Sequence, residues 1–279
     1  MLTPKQQEAF WKAVLWLVAG VTVAILVVII IHVISRGIGH INWAFLSQNP
    51  RSMGRLGGIF SVIVGTLYVT GLALLIATPV GIGAAIFLTE YVRQGRMVNC
   101  IRFFTEVLAG IPSIIFGLFG FVFFVIYLGM GWSVLSGGLT LSLMILPTIV
   151  RTSEEAIKAV PVSYREGSYA LGASRWQTVR RVVIPPALPG IMVGVILGIG
   201  RAIGETAAVL LTAGSSLHMP YSLTDPARTL SVHLYILATE GISMERAYAT
   251  ATVLVIAILV INFAANLLMR RLAVRISGF

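Results

Sequence analysis

Long apolar runs separated by short polar stretches dominate the chain, and six of them are long enough to cross a bilayer: 13–34, 58–89, 107–128, 135–157, 188–211 and 247–269. About 20 apolar residues in helical form span a hydrocarbon core about 30 Å thick. Lipid offers the backbone no hydrogen bonds, so runs of this length predict helices. The second run exceeds one crossing, and Pro79 with Gly81 and Gly83 predicts a kink or an extension beyond the membrane. In the fourth, only Leu139 to Val150 is wholly uncharged. That helix must tilt, or borrow the small residues before it and the helix after Arg151. Pro112 and Ser113 predict a break near the start of the third run. The expected fold class is an all-α integral membrane protein with six transmembrane helices.

Two polar features interrupt this pattern. The first is the segment 154–187 between the fourth and fifth runs. Ser163 with Glu166, and Ser174 with Gln177, have the spacing of capping boxes. Gly172 stands where a left-handed residue closes a helix. The spacing predicts a helix at about 164–171, a turn at Gly172, and a second helix at about 175–183 that Pro185 and Pro186 end. Local chemistry alone makes this a capped helix-turn-helix loop, in which Tyr164, Tyr169, Leu171 and Trp176 are available for buried contacts.

The second feature is GRAIGETA, which places Arg201 and Glu205 inside the fifth run. Arg201 lies about 18 Å along a helix from Pro189. A charge at that depth costs on the order of 2.5–3.5 kcal/mol, so it should face a partner or a wet path. The spacing of four puts both residues on one helical face. Two readings stand: an internal ion pair that neutralises the helix, or an Arg whose planar fork meets an anion in transit while Glu205 holds or resets it. On the same run Gly190, Gly194 and Gly198 form a small-xxx-small face suited to close helix packing.

With 57% hydrophobic and 11% charged residues, the 279-residue chain cannot be a soluble domain of ordinary surface. Fourteen of its twenty Lys and Arg fall in segments that lie on one side if the N-terminus is cytoplasmic, and five fall on the other. This asymmetry supports both termini in the cytoplasm, and the expected location is a cell (inner) membrane. Because the basic residues flank spans instead of forming a stripe, the net charge of +10 requires no nucleic-acid partner. The first run is too long for a signal-peptide core, and Ser35, Arg36 and Gly37 make no cleavage site. Cys100 is the only cysteine, which excludes an internal disulfide. His32, His40, His218 and His233 are scattered, so no metal site or catalytic constellation is expected. No phosphate loop of the GxxxxGK[ST] type is present, so the chain is neither an ATPase nor, on this reading, an enzyme. Thr229 to Ala238 forms a short amphipathic run that could lie on the membrane, meet a soluble partner, or shield the bundle.

Glu166, two small residues, three more, Gly172, nine more, then Val182, Ile184 and Pro185 closely resembles the EAA loop of ABC importer permeases. The family usually has two Ala after the Glu, where this chain has Gly167 and Ser168, and Val182 and Ile184 replace its usual Ile and Leu. The order of elements, with GTLYVTGLALLIATPVGIGAAIFLTEY, LAGIPSIIFG, the loop and RAIGETAAVLLTAG, resembles the PstA-type permeases of phosphate-specific ABC importers over about residues 57–269. That resemblance implies a type I importer (MetI-like) fold: an N-terminal anchor over 1–56, a core permease over 57–269, a cytoplasmic coupling loop over 154–187 and a tail over 270–279. It implies ATPase coupling through Glu166, Ala170, Leu171, Gly172, Ala173 and Pro185, and a phosphate path at Arg201 and Glu205. The implied partners are a PstC-type permease, two PstB-type ATPases carrying Mg-ATP, a PstS-type periplasmic phosphate-binding protein, and membrane lipid. The residues leave three alternatives open: an importer of another oxyanion, a secondary anion transporter or channel, and a membrane scaffold whose loop binds a soluble partner.

Overall fold

The computed structural model describes residues 4–93 and 95–276. Helix α1 (Pro4–Gly37) is followed by the short α2 (Trp43–Ser47), a two-residue antiparallel ladder pairing Pro50 with Gly57, and α3 (Phe60–Ile86). Next come α4 (Arg96–Gly110), α5 (Ser113–Gly120), α6 (Val134–Lys158), α7 (Val162–Ala170) and α8 (Arg175–Thr178). The remaining helices are α9 (Ile184–Gly204), α10 (Ala207–Thr212), α11 (Leu230–Thr239) and α12 (Met244–Ile276). Three wide π turns extend helices at Phe87–Tyr91, Phe121–Tyr127 and Val179–Val183. The expected all-helical membrane architecture holds, with five helices among the described residues long and apolar enough to cross and a sixth span if the bent α4–α5 pair counts as one.

The span predicted as the weakest is the centre of the bundle. Of the apolar window in α6, 67% is buried, against none of that in α1. Between helices in lipid, burial exchanges lipid contacts for protein contacts, so close approach of backbones matters more than added hydrophobicity. Helix α6 achieves this with small residues. A Cβ on Gly137 would stand 2.7 Å from the Ala213 side chain, and one on Gly138 2.6 Å from Leu72. Gly194 and Gly190 of α9 press against Thr152 and Ala156 of α6 in the same way. The glycine stripe is therefore a packing face. Val69, Ala73 and Ala77 of α3 meet Leu141, Met144, Ile145 and Ile149 of α6 in the main core. A second core joins Ala85, Ile157, Val183, Ala187 and Ile191 near the end that carries α7 and α8.

Several boundaries differ from the sequence expectation. The third run is split by a 99° bend at Ile111–Pro112, so α4 turns aside and only Ser113–Tyr127 continues as the apolar limb. Pro112, with ψ 141°, is extended and cannot continue α4. Helix α3 passes through Pro79 and runs on to Tyr91, which realises the extension. Pro185 and Pro186 do not end the second helix of the loop. The wide turn Val179–Val183 closes with Ile184 N–H donating to Val179 O and carries α8 into α9 as one 30-residue helix, Arg175–Gly204. The extra residue in that turn moves the upstream carbonyls away from the proline rings, which lack an N–H to satisfy them. Helix α12 continues through the expected tail as far as Ile276, and 277–279 lie outside the described residues.

The anchor helix α1 touches the rest chiefly along α12, where Thr252 Oγ1 donates to Val33 O and the rings of His32 and Tyr248 sit 6.0 Å apart. At the end opposite α7 and α8, α11 is not a surface helix. Leu230, Val232, His233, Ile236 and Leu237 are all buried, with Thr229 capping its first turn.

Candidate functional site

Helices α7 and α8 form a hairpin that projects from one end of the bundle. Its turn is built by Gly172 at φ +81°, a left-handed conformation that only glycine adopts freely. Gly172 N–H donates to Tyr169 O at 2.9 Å and Ala173 N–H to Ser168 O at 3.2 Å, closing the end of α7. Ser174 starts α8 with a complete capping box: its Oγ accepts from Gln177 N–H, and the Gln177 side chain accepts from Ser174 N–H at 2.8 Å. Ser168 and Thr178 hydroxyls, 2.9 Å apart, staple the two arms. The other expected box is absent. Pro161 occupies the N-cap of α7, so Ser163 sits inside the helix and caps nothing, and Glu166 points outward, exposed and without a partner among the described residues.

The tip carries Ala170, Leu171, Gly172 and Ala173, and Leu171 is 90% exposed. Val162, Tyr164, Tyr169 and Trp176 are also largely exposed. Among the described residues these side chains find no pocket, which leaves an apolar and aromatic surface of the kind that seats in a partner. Pro185 lies away from that tip, inside the long helix.

The hairpin is fastened by two residues that the sequence reading left out, Glu90 and Arg165. Arg165 enters the reading only as one basic charge among several, and Glu90 only as part of a quoted stretch, with no role given to either. Arg165 Nη2 and Nε donate to Glu90 Oε1 at 2.7 and 3.0 Å, while Nη1 donates to Val160 O at 2.7 Å and Nη2 to Ile157 O at 2.9 Å. The pair is largely shielded from solvent, with side-chain exposures of 15% and 6%. Arg175 of α8 stacks its guanidinium 5.7 Å from the Tyr91 ring centre. Nearby, Glu154 of α6 is held by Arg102 of α4 and by Lys158, while Arg151 bonds Glu106 at 2.8 Å. Three cations and three carboxylates with Glu155 thus line a polar cleft of about 100 Å³ between α4 and α6, with charges in balance.

At the far end of α9 the helix breaks at Glu205, whose ψ of 129° is extended. The break separates Arg201 from Glu205, so the spacing of four no longer makes a shared face. Glu205 turns instead to α10, where its carboxylate accepts from Ala208 N–H at 3.3 Å, and its backbone carbonyl accepts from Ser231 Oγ at 2.6 Å. Arg201 is half-buried and makes no ion pair or hydrogen bond with any described residue. Open space lies beside Gly200 and Gly204. Of the two readings of this pair, the internal ion pair is not formed, and the cation remains available on an unfilled face.

Beyond this break, Arg228 is buried, donating from Nε to Ser215 O at 2.8 Å and lying 3.4 Å from His233 Nδ1. Burial pulls the His233 pKa down to about 3, with the Arg228 charge adding to the effect, so the ring is neutral. Burial also lowers the Arg228 pKa, with Glu240 partly opposing it. Nothing in the sequence pattern signals this pair.

Residues 77–278 match the family described as "Binding-protein-dependent transport system inner membrane component". The chain is 37% identical over 266 residues to the probable ABC transporter permease protein YqgI of Bacillus subtilis, covering 90% of each. It is 37% identical over 215 residues to the phosphate transport system permease protein PstA 1 of Mycobacterium tuberculosis, covering 76% of this chain and 70% of that one. Against the Haemophilus influenzae PstA it is 31% identical over 243 residues, covering 86% and 85%. Among solved structures, a bacterial alginate ABC transporter chain superposes with a TM-score of 0.71 over 96% of both chains at 17% identity. A chain of the MetNI methionine ABC transporter gives 0.60 over 77% of this chain and 94% of its own at 22% identity. At these identities the two structures speak for the fold alone.

Proposed function

The chain belongs to the family of binding-protein-dependent transport system inner membrane components and is a permease subunit of an ABC importer; from that premise we propose that it forms half of a path for inorganic phosphate. The observation that carries the proposal is Arg201, a half-buried guanidinium without a partner among the described residues, beside a helix break and an open face. A guanidinium fork matches two phosphate oxygens, and in a low-dielectric wall its attraction for a passing anion is stronger than in water. Relatives named as phosphate permeases, 31–37% identical, support the choice of anion. Glu205, engaged as a cap for α10, holds the break in place and does not pair with Arg201.

A second permease of the PstC type would close the open face beside Arg201. PstB-type ATPases would seat the exposed Tyr164, Tyr169, Leu171 and Trp176 of the hairpin, with Mg-ATP bound on those partners. A PstS-type binding protein would deliver phosphate at the opposite end. The Lys and Arg asymmetry supports a cytoplasmic hairpin and both termini in the cytoplasm of the inner membrane. Hydrolysis on the ATPases would move the hairpin and so switch access to Arg201.

The test is uptake of labelled phosphate into proteoliposomes holding this chain with its partner subunits, wild type beside Arg201→Gln. Uptake that requires ATP and is lost in the assembled variant supports the proposal. Uptake without ATP would favour a secondary carrier, preference for another oxyanion would overturn the substrate, and normal uptake by Arg201→Gln would overturn the anion contact.

A further inference from the structure

The continuous helix Arg175–Gly204 links the hairpin to α9, but no such covalent path links it to α3. Among the described residues, the polar ties from α7 and α8 to the rest of the chain converge on two places. One is the end of α6, where Arg165 takes the carbonyls of Ile157 and Val160. The other is the wide turn Phe87–Tyr91 at the end of α3. There Arg165 holds the Glu90 carboxylate from α7, while Arg175 from α8 lies over the Tyr91 ring and reaches Tyr91 O at 3.4 Å. Both arms of the hairpin are thus fixed to one five-residue turn, on either side of the Gly172 tip. The Arg165 fork reaches both Glu90 oxygens, Nη2 to Oε1 at 2.7 Å and Nε to Oε2 at 3.3 Å, in a part-buried setting, which makes the contact directional as well as strong. Immediately above it lies the core of Ala85, Ile157, Val160, Val183, Ala187 and Ile191, which joins α3, α6 and α9.

We propose that Glu90 and Arg165, seconded by Tyr91 and Arg175, form a joint that carries displacement of the hairpin into α3 and α6. They are positioning residues for coupling, with no contact to ATP or to the transported anion, and this inference rests on the importer reading above. Without the joint, α7 would be tied to the bundle only by its connection at Ala159–Pro161, by Val160 in the core and by the second arm, and could shift against the end of α3 when pushed. With the joint closed, α7, the end of α3 and the end of α6 move as one body. The placement of a π turn at this position suits the role, because its wider backbone turns Glu90 and Tyr91 toward the hairpin instead of continuing the apolar stripe of α3.

The experiment uses the complete transporter in proteoliposomes and measures ATP hydrolysis, anion uptake and ATPase subunits retained per permease. Glu90→Gln keeps the size of the side chain and removes its charge. It should retain the ATPase subunits and hydrolyse ATP, while uptake per ATP falls roughly 2- to 30-fold. The double variant Glu90→Gln/Arg165→Gln should be no worse in that ratio than the more impaired single variant, because the two side chains act as one unit. An unchanged ratio, or a loss of uptake that only follows loss of bound ATPase, would overturn the joint. If Glu90→Gln does not assemble, Arg165→Lys decides: it keeps a positive charge beside Glu90 and removes the guanidinium fork, and a lowered ratio supports the joint while a normal ratio overturns it. A wild-type transporter that carries another oxyanion overturns phosphate alone, and the ratio is then read with that anion. A wild type with no ATP-dependent uptake overturns the importer reading and the joint with it.

Discussion

Substitution of Gly172 isolates the contribution of backbone conformation to docking. Its φ of +81° is left-handed, yet a Cβ built there meets no atom within 4 Å, so crowding is absent and the cost of a side chain is conformational. For an ordinary L-residue that cost is about 1–2 kcal/mol, and it is larger for a β-branched one. Asn tolerates the region best among non-glycine residues. If the ATPase binds only the closed turn, and the strain depopulates that turn by its full amount, Gly172→Ala weakens docking by about 5- to 30-fold. Gly172→Val falls below that, and Gly172→Asn stays near wild type. The assay is titration of the ATPase subunit onto nanodisc-embedded permease. Equal affinities for the Asn and Val variants would refute the argument, because it ranks them on backbone cost alone.

Leu171→Asp should also weaken ATPase docking, by roughly tenfold or more as a centrally buried anchor would, without altering thermal unfolding of the permease, since Leu171 is 90% exposed. Gly194→Leu should lower the unfolding temperature by forcing α9 away from Thr152, at a cost on the order of 1–3 kcal/mol or more; a melting point equal to wild type would contradict the packing. His233, with its pKa lowered to about 3, gives stability that is fully present above the unfolded value of 6.5 and is lost as pH falls toward 3. Near pH 5 the loss is roughly 2 kcal/mol, and His233→Asn should flatten the decline of unfolding temperature between pH 7.5 and 5.

The hydrophobic pattern determined the membrane class and the apolar runs, and proline and glycine chemistry determined the break at Pro112 and the turn at Gly172. Each follows from a local constraint: backbone satisfaction in lipid, a missing N–H, or a positive φ. The Ser174 capping box was legible for the same reason, since its partners lie three residues apart. The Ser163 box failed because Pro161 had already fixed the helix start. Reading Pro185 as a stop failed because a π turn upstream absorbed the prolines. The spacing of Arg201 and Glu205 implied a shared face only for an unbroken helix, and the break at Glu205 is held by contacts to α10 and Ser231.

What only the tertiary structure decided are relations between residues far apart in the chain. Glu90 and Arg165 are 75 positions apart, and although each lies in or beside a recognisable segment, nothing in either segment shows that the two pair. The burial of His233 with Arg228, and the central place of α6, depend likewise on which helices pack together. Local sequence specifies backbone conformation through short-range sterics and hydrogen bonding. Which side chain is left unpaired, and which is locked into a joint, is set by helix packing, where small residues on several distant segments must agree at once.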